Sequence, residues 1–387
     1  MSTSSDDLFS RATGSLPGGN SRTTVFIAPR PPYAASGAGY RVTDVDGHEV
    51  IDLQNNYTSL IHGHAHPAIV EVATAAIRSG ASFGMPTESE IEMAEALSVR
   101  VPWATRWRFA NSGTEGVMMA IRLARAVSGK DKIVRFATSY HGSYDAAMIP
   151  GAPGMPRSVV EDIISVPVGD IEAVRAALEA QADEIACVLF DAMPGRAGLR
   201  PASQEYVDQL REETRRHDVL LVQDEVLAFR VGYGGLHSHY GIEPDLIAVG
   251  KIVGGGFPVG GFGGREELMA RFDPRTEGAL SHGGTFSANP VTMRAGAKAL
   301  ELFDAAEVDR LNDLGDRLRQ ALGDQGWDVT GRGSLMRLHV DDNQQLWWDL
   351  YRSGILAGNN GLLCLSTPMD EDALTEIITR IGEVRGG

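Results

Sequence analysis

Two short apolar runs constrain this chain more than any other feature: LLVQDEV from Leu220 to Val226 and DLIAVGKIVGGG from Asp245 to Gly256. Each has strand length and breaks off into polar residues, Asp224 and Glu225 after the first run and Lys251 after the second. In an open parallel sheet the carboxyl ends of the strands form the ligand crevice, so both polar groups are expected to face one bound molecule. From about Thr87 to Phe286 strand-like and helix-like segments alternate, the pattern of a parallel sheet with crossover helices. A lysine after a strand is ordinarily a solvated loop residue, and Asp-Glu there is often only a turn, so the pair needs support from elsewhere in the chain.

That support comes from FANSGTEGVMMAIRLARA, Phe109 to Ala126. It reads as a short strand, a tight polar turn and an amphipathic helix with Met118, Ile121 and Leu123 at helical spacing. Ser112, Gly113 and Thr114 then fall where a helix begins and offer backbone N–H groups, two hydroxyls and the positive end of the dipole to a phosphate. Ser and Thr are also ordinary N-caps. A lysine, a carboxylate and a phosphate cradle in one sheet suit pyridoxal phosphate: the amine would hold the aldehyde as a Schiff base, and the carboxylate would keep the pyridine nitrogen protonated so that the ring accepts electrons. Asp224 must be ionised for that task and Lys251 neutral when it acts as a base.

The chain resembles the class III aminotransferases among the fold-type I pyridoxal phosphate enzymes, in the branch that holds glutamate-1-semialdehyde aminomutase and the β-amino-acid (β-phenylalanine-type) transaminases. The matching segments are LPGGNSR (16–22), DVDGHEVIDL (44–53), HGHAHP (62–67), NSGTEG (111–116), YHGSYD (140–145), DEVLAFRVGYGG (224–235), GKIVGGGFPVGGFGG (250–264) and GGTFSANPVTM (283–293). They run in order over nearly the whole chain. The resemblance implies an α/β fold: a large domain with a mainly parallel sheet flanked by helices, plus a smaller α+β domain. It also implies Lys251 as the Schiff-base lysine and proton shuttle, Asp224 as partner of the ring nitrogen, and Val226 and Tyr140 on the two ring faces. His141 would join the cofactor contacts, with Ser112, Gly113 and Thr114 around the phosphate. Thr285 would reach the cofactor phosphate of a neighbouring subunit, so a homodimer with active sites at its interface is implied.

Substrate residues rest on the same resemblance. Arg22 matches an arginine that β-phenylalanine-type transaminases use for a substrate carboxylate, a task suited to a planar guanidinium, and Tyr57 would line the same pocket. Three departures stand out. Where that branch carries a C-terminal arginine, this chain has GNNGLLCLS with Asn359 and Asn360. The aminomutase branch's glutamate there, and its longer loop after YHG, are both missing. The family's Glu-Pro before the cofactor carboxylate is replaced by Asp191-Ala192.

The expected activity is amino transfer from a carboxylate-bearing amine, best a β-amino acid, to a keto acid. The alternative is an aminomutase that returns the amine to the same substrate. A cofactor-binding protein without turnover, a third class, is disfavoured by the intact Lys251 and Asp224.

Borders are expected near residues 58 and 288: an arm over 1–58 that joins the small domain, a large cofactor-binding domain over 59–288, and a C-terminal small domain over 289–387. The arm should hold a hairpin around Asp46 and Gly47. A helix is expected over Ala68–Ser79 with Ile69, Val72, Ala73, Ala76 and Ile77 on its buried face and Gly80 as its stop. Thr87 and Glu90 form a capping-box pattern before the next helix. Beyond Asn289 two long helices, strands in LMRLHV and LLCLS, and a last helix are expected.

A net charge of −16 argues against nucleic acid or an anionic membrane surface as partner. Cys187 and Cys364 lie in apolar runs and read as buried hydrophobes in a reducing compartment. The N-terminal segment MSTSSDDLFSRATG lacks an apolar core, so no signal peptide is expected, and no run of about twenty apolar residues offers a span. A cytoplasmic enzyme follows as the expectation. His62, His64 and His66 read as a structural turn rather than a metal site, and the glycines of 250–264 as places where backbone approaches the cofactor rather than a nucleotide loop.

Overall fold

The computed structural model describes residues 4–386; Met1–Thr3, the head of the expected arm, and Gly387 lie outside the described residues. Packing divides the chain into two compact units, one built from the segment up to Pro67 together with Asp309 onward, the other from Ala68–Val308.

The second unit is organised by a seven-stranded sheet. Its strands in chain order are β1 (Arg106–Ala110), β2 (Lys132–Phe136), β3 (Ile163–Val166), β4 (Ile185–Phe190), β5 (Leu220–Asp224), β6 (Leu246–Gly250) and β7 (Gly260–Gly264). They lie side by side as β1-β7-β6-β5-β4-β2-β3. All neighbours are parallel except β7, which runs antiparallel between β1 and β6. Every residue of β4, β6 and β7 is buried, as expected of central strands covered on both faces. On one face Ile133, Cys187, Leu189, Val222, Ala248 and Phe262 pack with the helix Gly113–Ser128. On the other, Phe136, Phe190 and Tyr206 meet in tilted and edge-to-face contacts.

The helix Gly113–Ser128 is set locally. Ser112 Oγ accepts from Glu115 N at 3.2 Å, and Gly129 ends the helix in the left-handed conformation, its N–H bonded to Arg125 O at 2.8 Å. Val117, Ala120, Ile121 and Ala124 recur at helical spacing on its buried face. The expected Glu90 contribution to the cap of Glu88–Arg100 is present, with Oε1 accepting from Thr87 N at 3.1 Å.

In the first unit Ala34–Ala38, Arg41–Asp44, Glu49–Asp52 and Ile355–Leu356 form one sheet, and Val329–Arg332, Leu335–Leu338 and Leu362–Cys364 another. The hairpin around Asp46 and Gly47 is formed by antiparallel pairing of Arg41–Asp44 with Glu49–Asp52.

Three features differ from the sequence reading. The packing borders fall at Pro67 and Val308 rather than 58 and 288, because Pro290–Leu302 packs on Glu88–Arg100 and stays with the seven-stranded unit. In the helix Pro67–Ser79, Ile69, Ala73 and Ala76 are buried but Ile77 is 56% exposed, as is Val70 at 50% two turns earlier. A helix over Asn343–Arg352 was not expected. Asp342 caps it, accepting from Gln345 N at 2.9 Å, and Leu346, Trp347 and Leu350 are its buried residues. No helix among the described residues is long and apolar enough to cross a membrane.

Candidate active site

Because β1, β2, β4, β5 and β6 point the same way, the residues after them gather along one edge of the sheet. Asp224 closes β5 and Lys251 follows β6. Asp191 follows β4, Tyr140 and His141 lie in the loop after β2, and Ser112 follows β1. Sequence separation of up to about 140 residues is thereby collapsed onto one rim.

Asp224 is 5% exposed and both its oxygens are engaged: Oδ2 with His141 Nδ1 at 2.7 Å, and Oδ1 accepting from Val226 N at 2.9 Å. His141 is 2% exposed, and its Nε2 makes no hydrogen bond within the protein. A carboxylate has about four lone-pair sites, so Asp224 can still accept from a third donor. Lys251 adopts φ +50°, a left-handed conformation that is an outlier for a long side chain and is sustained at functional positions when the surroundings fix it.

The start of the helix Gly113–Ser128 packs against this rim. A Cβ at Gly113 would lie 2.6 Å from Val226 Cγ1, so the loop rests directly on the residue after the Asp224–Glu225 pair. Thr114 Oγ1 accepts from Ser143 N at 3.3 Å, and Gly142, at φ +99°, would place a Cβ 2.5 Å from Thr114 Oγ1. The loop after β2 thus closes on the N-terminus of Gly113–Ser128, where first-turn N–H groups have no intrahelical acceptor.

Glu225 takes the other side. It is fully buried, with Leu236 N donating to Oε2 at 3.0 Å and His237 N to Oε1 at 2.7 Å; Oε1 also lies 3.0 Å from His237 Nδ1. Of the two adjacent carboxylates, Glu225 anchors a turn and Asp224 faces His141. Asp191 was singled out by sequence only as a departure. It neighbours Asp224 through the β4–β5 register, which pairs Phe190 with Gln223, and its Oδ1 accepts from Met193 N at 2.9 Å. Burial first, and then the Asp224 charge, push the Asp191 carboxyl well above the usual carboxylate range.

A class III aminotransferase family model matches residues 29–370. The chain belongs to the class III aminotransferase family. Among relatives of this class III chain, a glutamate-1-semialdehyde 2,1-aminomutase of Methanothermobacter thermautotrophicus is 42% identical over 87% of the chain and 83% of that protein. An omega-transaminase from Sphaerobacter thermophilus is 42% identical with TM-score 0.95, covering 98% of this chain and 96% of that one. A β-phenylalanine aminotransferase from Variovorax paradoxus is 34% identical with TM-score 0.93, covering 99% and 94%. The alternation of strands and helices is therefore the fold-type I arrangement of these enzymes.

The remaining candidates lie elsewhere. Thr285 is exposed in a turn tied back by Asn111 Nδ2 to Ser287 Oγ at 3.4 Å. Arg22 and Tyr57 belong to the other unit. There Arg22 Nη1 donates to Asn56 Oδ1 at 2.8 Å, Tyr57 Oη donates to Thr24 O, and Asn359 Nδ2 donates to the same carbonyl at 2.9 Å. Asn56 was missed by sequence reading; no local pattern marks it, since its role comes from a 34-residue separation. His62 Nδ1 meets Thr367 Oγ1 at 2.9 Å and His64 Nε2 meets Asp52 Oδ2 at 2.8 Å, so two of the three histidines have different partners. Cys187 and Cys364 are buried free thiols, and burial pushes the Cys187 thiol up to about 12.

The division of labour between the two carboxylates predicts that Glu225→Ala lowers stability in urea unfolding by about 3–5 kcal/mol, the cost of leaving buried partners unpaired. A loss below about 1 kcal/mol would remove Glu225 from that anchoring role.

Proposed function

We propose that this enzyme is a pyridoxal phosphate-dependent aminotransferase that moves an amino group from a carboxylate-bearing amine, best a β-amino acid, to a keto acid. The observation that carries the reading is the buried Asp224, fixed by His141 and Val226, on the same strand-end rim as Lys251 in its left-handed conformation. Also in support, a relative 42% identical with TM-score 0.95 is a transaminase with PLP bound.

The residues fit the cofactor's chemistry. The start of the helix Gly113–Ser128, closed over by Gly142 and Ser143, suits a phosphate; Asp224 retains acceptor capacity for a pyridine N–H; Val226 and Tyr140 are the proposed flanks of the ring. When bound, pyridoxal phosphate supplies a ring that accepts the electron pair left as a substrate C–H bond breaks. Lys251 Nζ takes that proton from the substrate carbon and returns it at the other carbon, acting as base and then as acid. Asp224 holds the proton on the ring nitrogen by its negative charge, and His141 holds Asp224 in place. Over a full cycle the donor's nitrogen and the acceptor's oxygen exchange places, and the water consumed in one half is released in the other, so no outside oxidant or reductant is needed.

Arg22 is the proposed carboxylate holder on the donor side, linked to the Tyr57 segment through Asn56, while Tyr57 Oη donates to Thr24 O two residues from Arg22. A β-amino acid donor is supported by the 34% identity to the Variovorax paradoxus β-phenylalanine aminotransferase. The second reading, intramolecular transfer, is favoured by the 42% identity to the Methanothermobacter thermautotrophicus aminomutase. We also read the enzyme as a cytoplasmic homodimer: Phe83 and Met85, 48% and 73% exposed, line with Thr285 a cavity of about 270 Å³, and Phe286, next to Thr285 in sequence, is 61% exposed, apolar surface suited to a second copy.

Four experiments test this. Lys251→Ala should abolish turnover and borohydride-fixable attachment of the cofactor; retained attachment would reject Lys251 as the linking amine. In single-turnover reactions without acceptor, a transaminase leaves pyridoxamine phosphate and one equivalent of keto product, whereas a rearranged amine with the cofactor's original spectrum restored means an isomerase. Arg22→Ala should raise KM for β-amino acids by roughly 10- to 100-fold, the worth of a charge-assisted pair, and leave neutral amines within about threefold. Equal losses for both donors would sink the carboxylate role. Sedimentation equilibrium should give twice the chain mass, and Phe286→Asp should shift it toward a single chain.

A further inference from the structure

Arg196 lies in the short helical turn Gly195–Ala197 that follows β4 and Asp191, on the strand-end rim that carries Asp224 and Lys251. A Cβ on Gly195 would stand 3.2 Å from Leu227 Cδ2, so this turn packs directly beside the segment that follows Asp224. The Arg196 guanidinium carbon sits 4.3 Å from the centre of the Tyr140 ring. A guanidinium held over a ring face by cation–π attraction still has N–H groups available to a carboxylate. Arg196 is exposed and has no ion pair or hydrogen bond among those of the described residues. In a chain of net charge −16, an arginine at a reaction rim without a carboxylate partner stands out.

A second cation lies behind it. Arg135, near the end of β2, is fully buried; its Nη2 donates to Ser139 O, while Nε and Nη1 make no hydrogen bond within the protein. Burial, with the neighbouring Arg196 charge adding to it, pulls the Arg135 guanidinium down to about 10. Two guanidinium groups close enough to repel, with Arg196's fork unpaired, make this part of the rim locally positive. In the other unit, where the family's C-terminal arginine would stand, Asn359 is committed to Thr24 O and Asn360 Oδ1 accepts from Leu362 N.

We propose that Arg196, held over the Tyr140 ring, receives the distal carboxylate of a dicarboxylic keto-acid acceptor and so determines acceptor choice. This rests on the aminotransferase reading above. Because the guanidinium is already held over the ring, little side-chain freedom is lost when the carboxylate arrives. A monocarboxylic acceptor makes no use of it.

The test compares wild type with R196A and R196K, first converted to the pyridoxamine phosphate form by the amino donor and then mixed with 2-oxoglutarate or pyruvate. R196A should weaken the 2-oxoglutarate half-reaction in its concentration dependence by about 10- to 100-fold, as expected for loss of one charge-assisted bidentate contact, with pyruvate changed by less than about threefold. R196K should recover part of the loss, because an ammonium keeps the charge but not the fork. Calorimetric titration with glutarate, which cannot react, should show the same loss of affinity in R196A. Equal effects on both acceptors, or unchanged glutarate binding, would overturn the proposal. If wild type transfers no amine while glutarate binding still depends on Arg196, the aminotransferase reading fails and the carboxylate site stands.

Discussion

The 2.7 Å hydrogen bond between His141 Nδ1 and Asp224 Oδ2 is the contact on which the catalytic half of this molecule depends. Three acidic residues, Asp191, Asp224 and Glu225, are buried within two adjacent strand ends, an arrangement that costs free energy unless each finds its own compensation. They find it separately. Glu225 is satisfied by the Leu236–His237 turn, Asp224 by His141 and Val226 N–H, and Asp191 by Met193 N–H together with a carboxyl that resists ionisation. What remains is one carboxylate with an unused acceptor direction on the rim shared with Lys251, and that is what a protonated ring nitrogen requires.

The other unit concentrates its cost in the backbone. Asn55, Asn56, Tyr57 and Thr58 all have φ between +47° and +75°. A left-handed turn of L-residues is disfavoured by roughly 1–2 kcal/mol per residue. It is held by Asp52, whose Oδ1 accepts from Gln54 N at 2.9 Å and Asn55 N at 2.7 Å, and by Gln54 Oε1, which accepts from Tyr57 N at 3.2 Å. Asn55 Nδ2 reaches Cys364 O at 3.0 Å and so ties the turn to the strand Leu362–Cys364. Asn56, which accepts from Arg22, and Tyr57 itself are among the residues held in this form.

Much of this was legible in the sequence wherever the signal was periodic or local. The runs ending in Asp224 and Lys251 are strands of the expected length, and the polar turn at Ser112 does begin a helix. The misses share a physical origin. Asn343–Arg352 has Leu346, Trp347 and Leu350 at helical spacing, but over only ten residues, and nothing local says that such a short stripe finds a surface to pack on. Ile77 has the spacing of a core residue, but nothing local says which of two apolar stripes meets the core. The sequence pattern changes near residue 288, whereas Pro290–Leu302 is retained by its packing on Glu88–Arg100.

By itself the sequence determined that strands and helices alternate, that a lysine and a carboxylate stand at strand ends, and that a capped helix start offers N–H groups to an anion. Those properties follow from residue spacing over fewer than about twenty positions and from side-chain chemistry that needs no partner. Only the tertiary structure decided that Asp224 rather than Glu225 meets His141, that Asp191 lies across the register from Asp224, that Asn56 holds Arg22, and that Arg196 lies over the Tyr140 ring. Each of these joins residues through strand order and register, and side chains alternate faces with a period of two, so one residue of slip would exchange the roles of Asp224 and Glu225. Spacing along the chain carries no record of which strand will lie beside which.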